Sequence, residues 1–139
     1  ARELDITVPF VGGDGWDSPK LVEIATPAAL NNTYFTNHYS IDDPSSAAQA
    51  YVQAYKSEYG LTPDAMAVLG YDAVYLLVDA IKRANSTDPQ AIRAALEKTE
   101  NFPALSGDIT LNATHDAIKS AVIIEMKEGK QVYKATIKP

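Results

Sequence analysis

Three helix signals follow one another between residues 43 and 99 with no strand between them, and this run constrains the fold more than any other feature. Each begins at a proline with a capping side chain before it: Asp43-Pro44, Thr62-Pro63 and Asp88-Pro89. Such a side chain satisfies a free helix N–H, and proline at the first helical position has none to lose. The apolar spacing then predicts helices over 44–59, 64–84 and 89–99. In the first, Ala47, Tyr51, Ala54 and Tyr55 share a face, and Gly60 is a natural C-cap. In the second, Val68, Leu69, Ala73, Leu76, Leu77 and Ala80 recur at helical spacing, and Lys82 and Arg83 suit the negative end of the helix dipole. The third buries Ile92, Ala95 and Leu96. A fourth capped proline, Ser18-Pro19, opens an earlier helix, "PKLVEIA".

Strands lie on either side. "ITVPFVGG", 6–13, reads as a buried parallel strand, and "TYFTNHYS", 33–40, as a second, rich in β-branched and aromatic residues. "GDITLN", 107–112, is a short strand. "SAVIIEMKEGKQVYKATI" reads as a hairpin turning at Glu128-Gly129, with Tyr133, Ala135 and Ile137 alternating on its second arm. The order β-α-β-α-α-α-β-β-β is that of an α/β chain. Three helices in succession cannot by themselves complete a doubly wound sheet, so part of the sheet they should cover is not in this sequence.

With 139 residues, 46% of them hydrophobic, the chain has the size of one ordinary domain and enough apolar mass for a core. A net charge of −6 excludes a general nucleic-acid binder, because nothing would neutralise phosphates. The absence of cysteine excludes disulfides, thiol catalysis and thiolate metal sites. No apolar run approaches the roughly 20 residues of a membrane span, and no signal peptide is visible. The opening "ARELDI" reads like the tail of a helix, which leads us to expect a piece of a longer protein. His38 and His115 have no metal-ligand spacing around them and read as surface or hinge residues. The Asn-x-Ser/Thr triplets at Asn31, Asn85 and Asn112 are too common by chance to carry weight.

The most pointed stretch is "VPFVGGDGWDSP", 8–19, where one carboxylate, Asp14, sits on a glycine-lined turn between a strand and a helix. The carboxyl edge of a parallel strand is the usual ligand crevice of α/β proteins. A carboxylate there suits a cation, and the glycines allow close backbone approach. The alternative is a solvated turn aspartate holding its own backbone. A phosphate loop is disfavoured: no Lys-Ser/Thr follows, and Asp14 would repel phosphate. No nucleophile–base pair can be assembled nearby, so no enzyme is expected.

Together, "VPFVGGDGWDSPKLVEIA", "TYFTNHYS", "LGYDAVYLLVDAIKRA" and "GDITLN…KSAVIIEMKEGK" resemble the C-terminal part of the branched-chain amino-acid-binding proteins, the type I periplasmic substrate-binding proteins of ABC importers. The resemblance runs from Arg2 to about Ile137. It implies two Rossmann-like or flavodoxin-like α/β lobes with the ligand in the cleft between them. Residues 1–39 would belong to the second lobe as strand-helix-strand, 40–117 to the first lobe, and 118–139 to the second again as a C-terminal hairpin. Asp14 matches the family's carboxylate partner for the ligand's α-ammonium, where many members have glutamate. Trp16 would wall the cleft or cap the helix entrance. Met66 matches a position touching the ligand side chain, and otherwise packs in the core. His38, Tyr39, Ser40 and Asp42 match a hinge crossover, while Tyr71 would be buried and structural. The resemblance implies a periplasmic or cell-surface location, an amino-acid ligand, an ABC permease as partner, and neither cofactor nor metal. Groups that bind the ligand's carboxylate lie outside the matched part. The expectation is half a binding site, unable to bind alone and completed by a missing N-terminal segment, or a self-associating module.

Overall fold

The computed structural model describes all 139 residues. In chain order the elements are β1 (Phe10–Gly12), α1 (Pro19–Ile24), α2 (Pro27–Leu30), β2 (Thr33–Asn37), α3 (Ser46–Tyr59), α4 (Ala65–Ala84), α5 (Pro89–Leu96), β3 (Thr110–Leu111), β4 (Ala117–Ile118), β5 (Ala121–Lys127) and β6 (Lys130–Ile137). They form two compact units: Ala1–Ala65 with Ala121–Ile137, and Met66–Ser120 with Lys138–Pro139.

The first unit is built on a four-stranded sheet in the order β1-β2-β5-β6. β1 and β2 are parallel, with Phe10 opposite Thr33 and Gly12 opposite Phe35. β5 runs antiparallel to β2, and β6 to β5. The hairpin turns at Glu128 (φ 50°) and Gly129 (φ 76°), two left-handed residues whose twist suits the flanking strands. Lys134 is an extra residue in β6: Ile123 faces Ala135 and Ile124 faces Tyr133. The period-two pattern of β5 sends Val122, Ile124 and Met126 to one face, where they join Leu30 and Phe35. Trp16, Leu21, Val22 and Ala25 cover this core from the β1–α1 segment. Burial of each large apolar side chain contributes about 1.5–3 kcal/mol.

Several local expectations are corrected here. The first strand spans only Phe10–Gly12, not 6–13. Proline at position 9 offers no N–H, and the Arg2 guanidinium occupies the carbonyls of Ile6 (2.7 Å) and Val8 (3.0 Å) while lying 4.1 Å over the Phe10 ring. β1 is an edge strand, and Val11 is exposed. "ARELDI" is no helix tail but a single 3-10 turn, Arg2–Leu4, ended by left-handed Asp5. A further capped proline, Thr26-Pro27, starts α2. α3 begins at Ser46, because Ser45 caps it and Asp43 instead accepts the Ser45 N–H at 2.8 Å. It buries Ala48 and Val52, while the Tyr51, Tyr55 and Tyr59 rings stack along the helix. Gly60 ends it in the left-handed conformation, as its sequence position predicts.

The second unit holds most of α4, all of α5, and the short antiparallel pair β3–β4. Asp88 caps α5 through the N–H groups of Gln90 and Ala91. On α4, Val68 and Ala80 are buried together with Asp72, whose carboxylate accepts the backbone N–H groups of Leu105 (2.8 Å) and Ser106 (2.9 Å). Tyr71 is not buried: its ring stacks on Tyr75 at 4.4 Å on an exposed face. Met66, Val74, Tyr75, Leu77 and Val78 are exposed on the same helix, so the apolar residues of α4 exceed what this unit's two short strands can cover.

Candidate functional site

Because β1 and β2 are parallel, their carboxyl ends lie at one edge of the sheet. Beyond β1 the chain makes the 3-10 turn Asp14–Trp16, closed by Trp16 N–H to Gly13 O (3.1 Å) and Asp17 N–H to Asp14 O (2.9 Å). Beyond β2 comes His38. The two ends bring Asp14 Oδ2 within 3.1 Å of His38 Nε2. The Asp14 side chain is 50% exposed and that of His38 33%. Asp14 thus spends its carboxylate on a neighbouring ring rather than on its own turn, and still faces solvent.

Trp16 turns inward. Its ring lies over Gly12 and against the Leu30–Phe35 core, so it braces the turn that presents Asp14. A β-carbon at Gly12 would come within 2.5 Å of the indole, which is why glycine stands there. Met66 opens the second unit, exposed on the first turn of α4.

Of the residues matched to a hinge, Tyr39 and Ser40 are buried. The Tyr39 hydroxyl donates to Pro63 O, and burial, with Asp17's negative charge next, raises its pKa well above the usual phenol range. Ser40 Oγ accepts the Asp42 N–H at 3.2 Å. Between these positions lies a residue that sequence reasoning missed. Asp17 Oδ2 accepts the Ala65 N–H at 2.8 Å, and Oδ1 accepts from Gln131 Nε2 at 2.9 Å. It ties together the α1 entrance, the segment leading into α4, and the hairpin. A cleft of about 730 Å³ in the same unit is bordered by Asp17, Tyr39, Pro63 and Gln131, and Asp14 is not among its walls. No helix is long and apolar enough to cross a membrane.

The sequence profile of the periplasmic binding protein family matches residues 1–131. Leu/Ile/Val-binding protein homolog 2 of Brucella abortus is 29% identical over 122 residues, 87% of this chain and 32% of the relative. Among solved structures, the leucine-binding protein LivK of Thermotoga maritima is 41% identical with a TM-score of 0.88, covering 100% of this chain and 40% of that one. LivJ of Streptococcus pneumoniae, a branched-chain amino-acid transporter substrate-binding protein solved with isoleucine, is 33% identical with a TM-score of 0.83, again over 100% of this chain and 40% of that one. The chain therefore spans about a third of the length of the curated relative and two-fifths of the solved structures. The matched proteins bind substrates and are not enzymes, and their fold is the type I periplasmic-binding architecture expected from the sequence. The chain belongs to the periplasmic binding protein family.

Proposed function

We propose that this chain is the C-terminal part of the solute-binding component of an ABC importer, and that Asp14 receives the α-ammonium of a branched-chain-type amino acid. The observation that carries the proposal is a half-exposed carboxylate at the shared carboxyl edge of two parallel strands, braced by Trp16 and oriented by His38. A charge-assisted ammonium–carboxylate hydrogen bond is about twice as strong as a neutral one and selects a cation. The ligands named for related proteins, isoleucine among them, supply the ammonium. In this reading the importer's permease is the partner, and the periplasm or cell surface the location.

The sheet-bearing segments 1–39 and 118–139 would form one lobe and the helical segment 40–117 the other. By contact in the present chain, α3 groups with the sheet. Met66 would reach the ligand side chain from the first turn of α4, its thioether an adaptable wall. His38 through Asp42 would form one crossover between lobes. Nothing in the chain takes the ligand's carboxylate, so the chain alone would not bind an amino acid measurably. The exposed α4 face would be covered by the remaining N-terminal part of the protein, or by a second copy when that part is absent.

The test is calorimetric titration with L-leucine and L-isoleucine of the protein at its relatives' full length. Asp14→Asn should weaken binding by about 1.5–3 kcal/mol, the range for a hydrogen bond to a charged group. Unchanged affinity would remove Asp14 from the site.

A further inference from the structure

His38 decides which part of Asp14 is free. An ionised carboxylate offers two oxygens and about four lone-pair positions. With a proton on Nε2, the neutral ring donates to Oδ2 across 3.1 Å and leaves Oδ1 unengaged on the half-exposed side. The backbone that carries the ring is held in place: the His38 main-chain N–H donates to Asn37 Oδ1 at 2.8 Å, and Asn37 is buried in β2 opposite Val122. One third of the His38 side chain meets solvent.

We propose that His38 is a positioning residue for Asp14 and that it links ligand capture to protons, because a ligand ammonium and a proton on His38 compete for one carboxylate. The proposal rests on the reading of Asp14 as the ammonium partner. The neutral ring orients the carboxylate and leaves its full negative charge for the ligand. The imidazolium places a positive charge 3.1 Å from Oδ2, neutralises the carboxylate, and repels a second cation arriving at Oδ1. Ligand therefore favours the neutral ring, and by linkage its binding expels the proton. Affinity therefore falls as pH falls and His38 takes up its proton. The charge facing the ring is that of Asp14, from the turn after β1. Asp42 and Asp43, which follow in the chain, make no ion pair with it, and Asp43 is engaged by the Ser45 N–H. β5 brings only Ala121 and Val122 to this end of β2.

The experiment measures L-leucine affinity between pH 5 and pH 8 by calorimetry, on the protein at its relatives' full length, with Asp14→Asn, His38→Gln and His38→Ala variants. For the unsubstituted protein the dissociation constant should rise about tenfold from pH 7.5 to pH 5. His38→Gln keeps a donor toward Oδ2 but cannot titrate, so it should bind within about threefold of the parent at pH 7.5 and show a flat profile. His38→Ala loses the donor and should bind about three- to fivefold more weakly at pH 7.5, also with a flat profile. If Asp14→Asn binds leucine as tightly as the parent, or the parent binds none at any pH, the ammonium reading fails and this proposal with it. If Asp14→Asn is weak while His38→Gln retains the parent's pH dependence, the ammonium site stands and the role of His38 alone is overturned.

Discussion

Gly12 and Gly13 are neighbours in sequence and opposites in the fold, which makes them a sensitive test of how the Asp14 turn is held. A β-carbon built on Gly12 lies 2.5 Å from two carbons of the Trp16 ring and 2.6 Å from a third. Carbon atoms sit comfortably at about 3.5–4.0 Å, so the ring or the strand must give way by about 1 Å. The ring cannot move freely, because it is packed on the Leu30–Phe35 core. Overpacking of this kind costs about 1–3 kcal/mol. At Gly13 the added carbon meets nothing within 4 Å, and the backbone there (φ −97°, ψ −179°) is extended and open to any residue. Gly13→Ala should therefore be neutral or stabilise by about 0.4–1 kcal/mol, through a less flexible unfolded chain. Urea unfolding followed by far-UV circular dichroism, and by the fluorescence of the only tryptophan, reads both. In a Trp16→Leu background the Gly12→Ala penalty should largely vanish, a coupling that a double-mutant cycle isolates. Equal effects at the two glycines, or an undiminished Gly12 penalty without the indole, would refute the bracing role of Trp16.

Two further outcomes follow from charged groups away from the turn. Lys119 has a buried amine with no hydrogen-bond partner, and burial holds it below its usual 10.5 against the opposing charge of Asp72. Lys119→Met should raise stability by about 1–2 kcal/mol near neutral pH, seen as a higher urea midpoint at unchanged slope, and the gain should shrink as pH rises toward 10.5; a loss of stability would contradict the orphaned amine. Glu125 is held below its ordinary 4.5 chiefly by the hydrogen bond from Lys134, with Tyr34 adding another, so its stabilising effect is complete above that value and lost as pH falls through the lower folded one. Thermal unfolding of Glu125→Gln across pH 3–6 should show a flatter acid-side decline than the parent, and an identical decline would remove Glu125 from the acid response.

Elements that close on themselves locally were the legible part of the fold. Ser18-Pro19, Asp88-Pro89, Gly60 and Glu128-Gly129 do their work within a few residues, by capping a free N–H or adopting a left-handed angle, and each stands where the sequence puts it. Asp43-Pro44 failed locally, because Ser45 took the cap, but the larger failures depended on partners remote in the chain. The first strand stops short because Arg2 takes carbonyls that would otherwise join a ladder, and the same guanidinium reaches Asn31 O at 2.8 Å. Tyr71 was expected to be buried because it lies beside Gly70 on an apolar helix. That side of α4 is stacked aromatics facing outward, and periodicity alone cannot say which of two apolar stripes a core will cover.

The candidate site divides along the same line. The place of Asp14 was visible because it is local: a carboxylate on a glycine turn at the end of a parallel strand lies at the carboxyl edge of the sheet by topology. Its partner was not, since nothing in "TNHYS" announces that His38, 24 residues away, will face it once two parallel strands fix the edge. Asp17 is the extreme case. It stands immediately before a capping serine and proline, where an acidic residue reads as a favourable charge near a helix start. Its oxygens instead reach a backbone N–H 48 residues ahead and a glutamine 114 residues ahead. Both oxygens of Asp17 are engaged by the protein itself, whereas Asp14, three positions earlier, keeps one unengaged. The two aspartates of "GGDGWDS" thus part: the second holds distant segments of the chain together and the first meets only the neighbouring His38, a distinction made by distant residues.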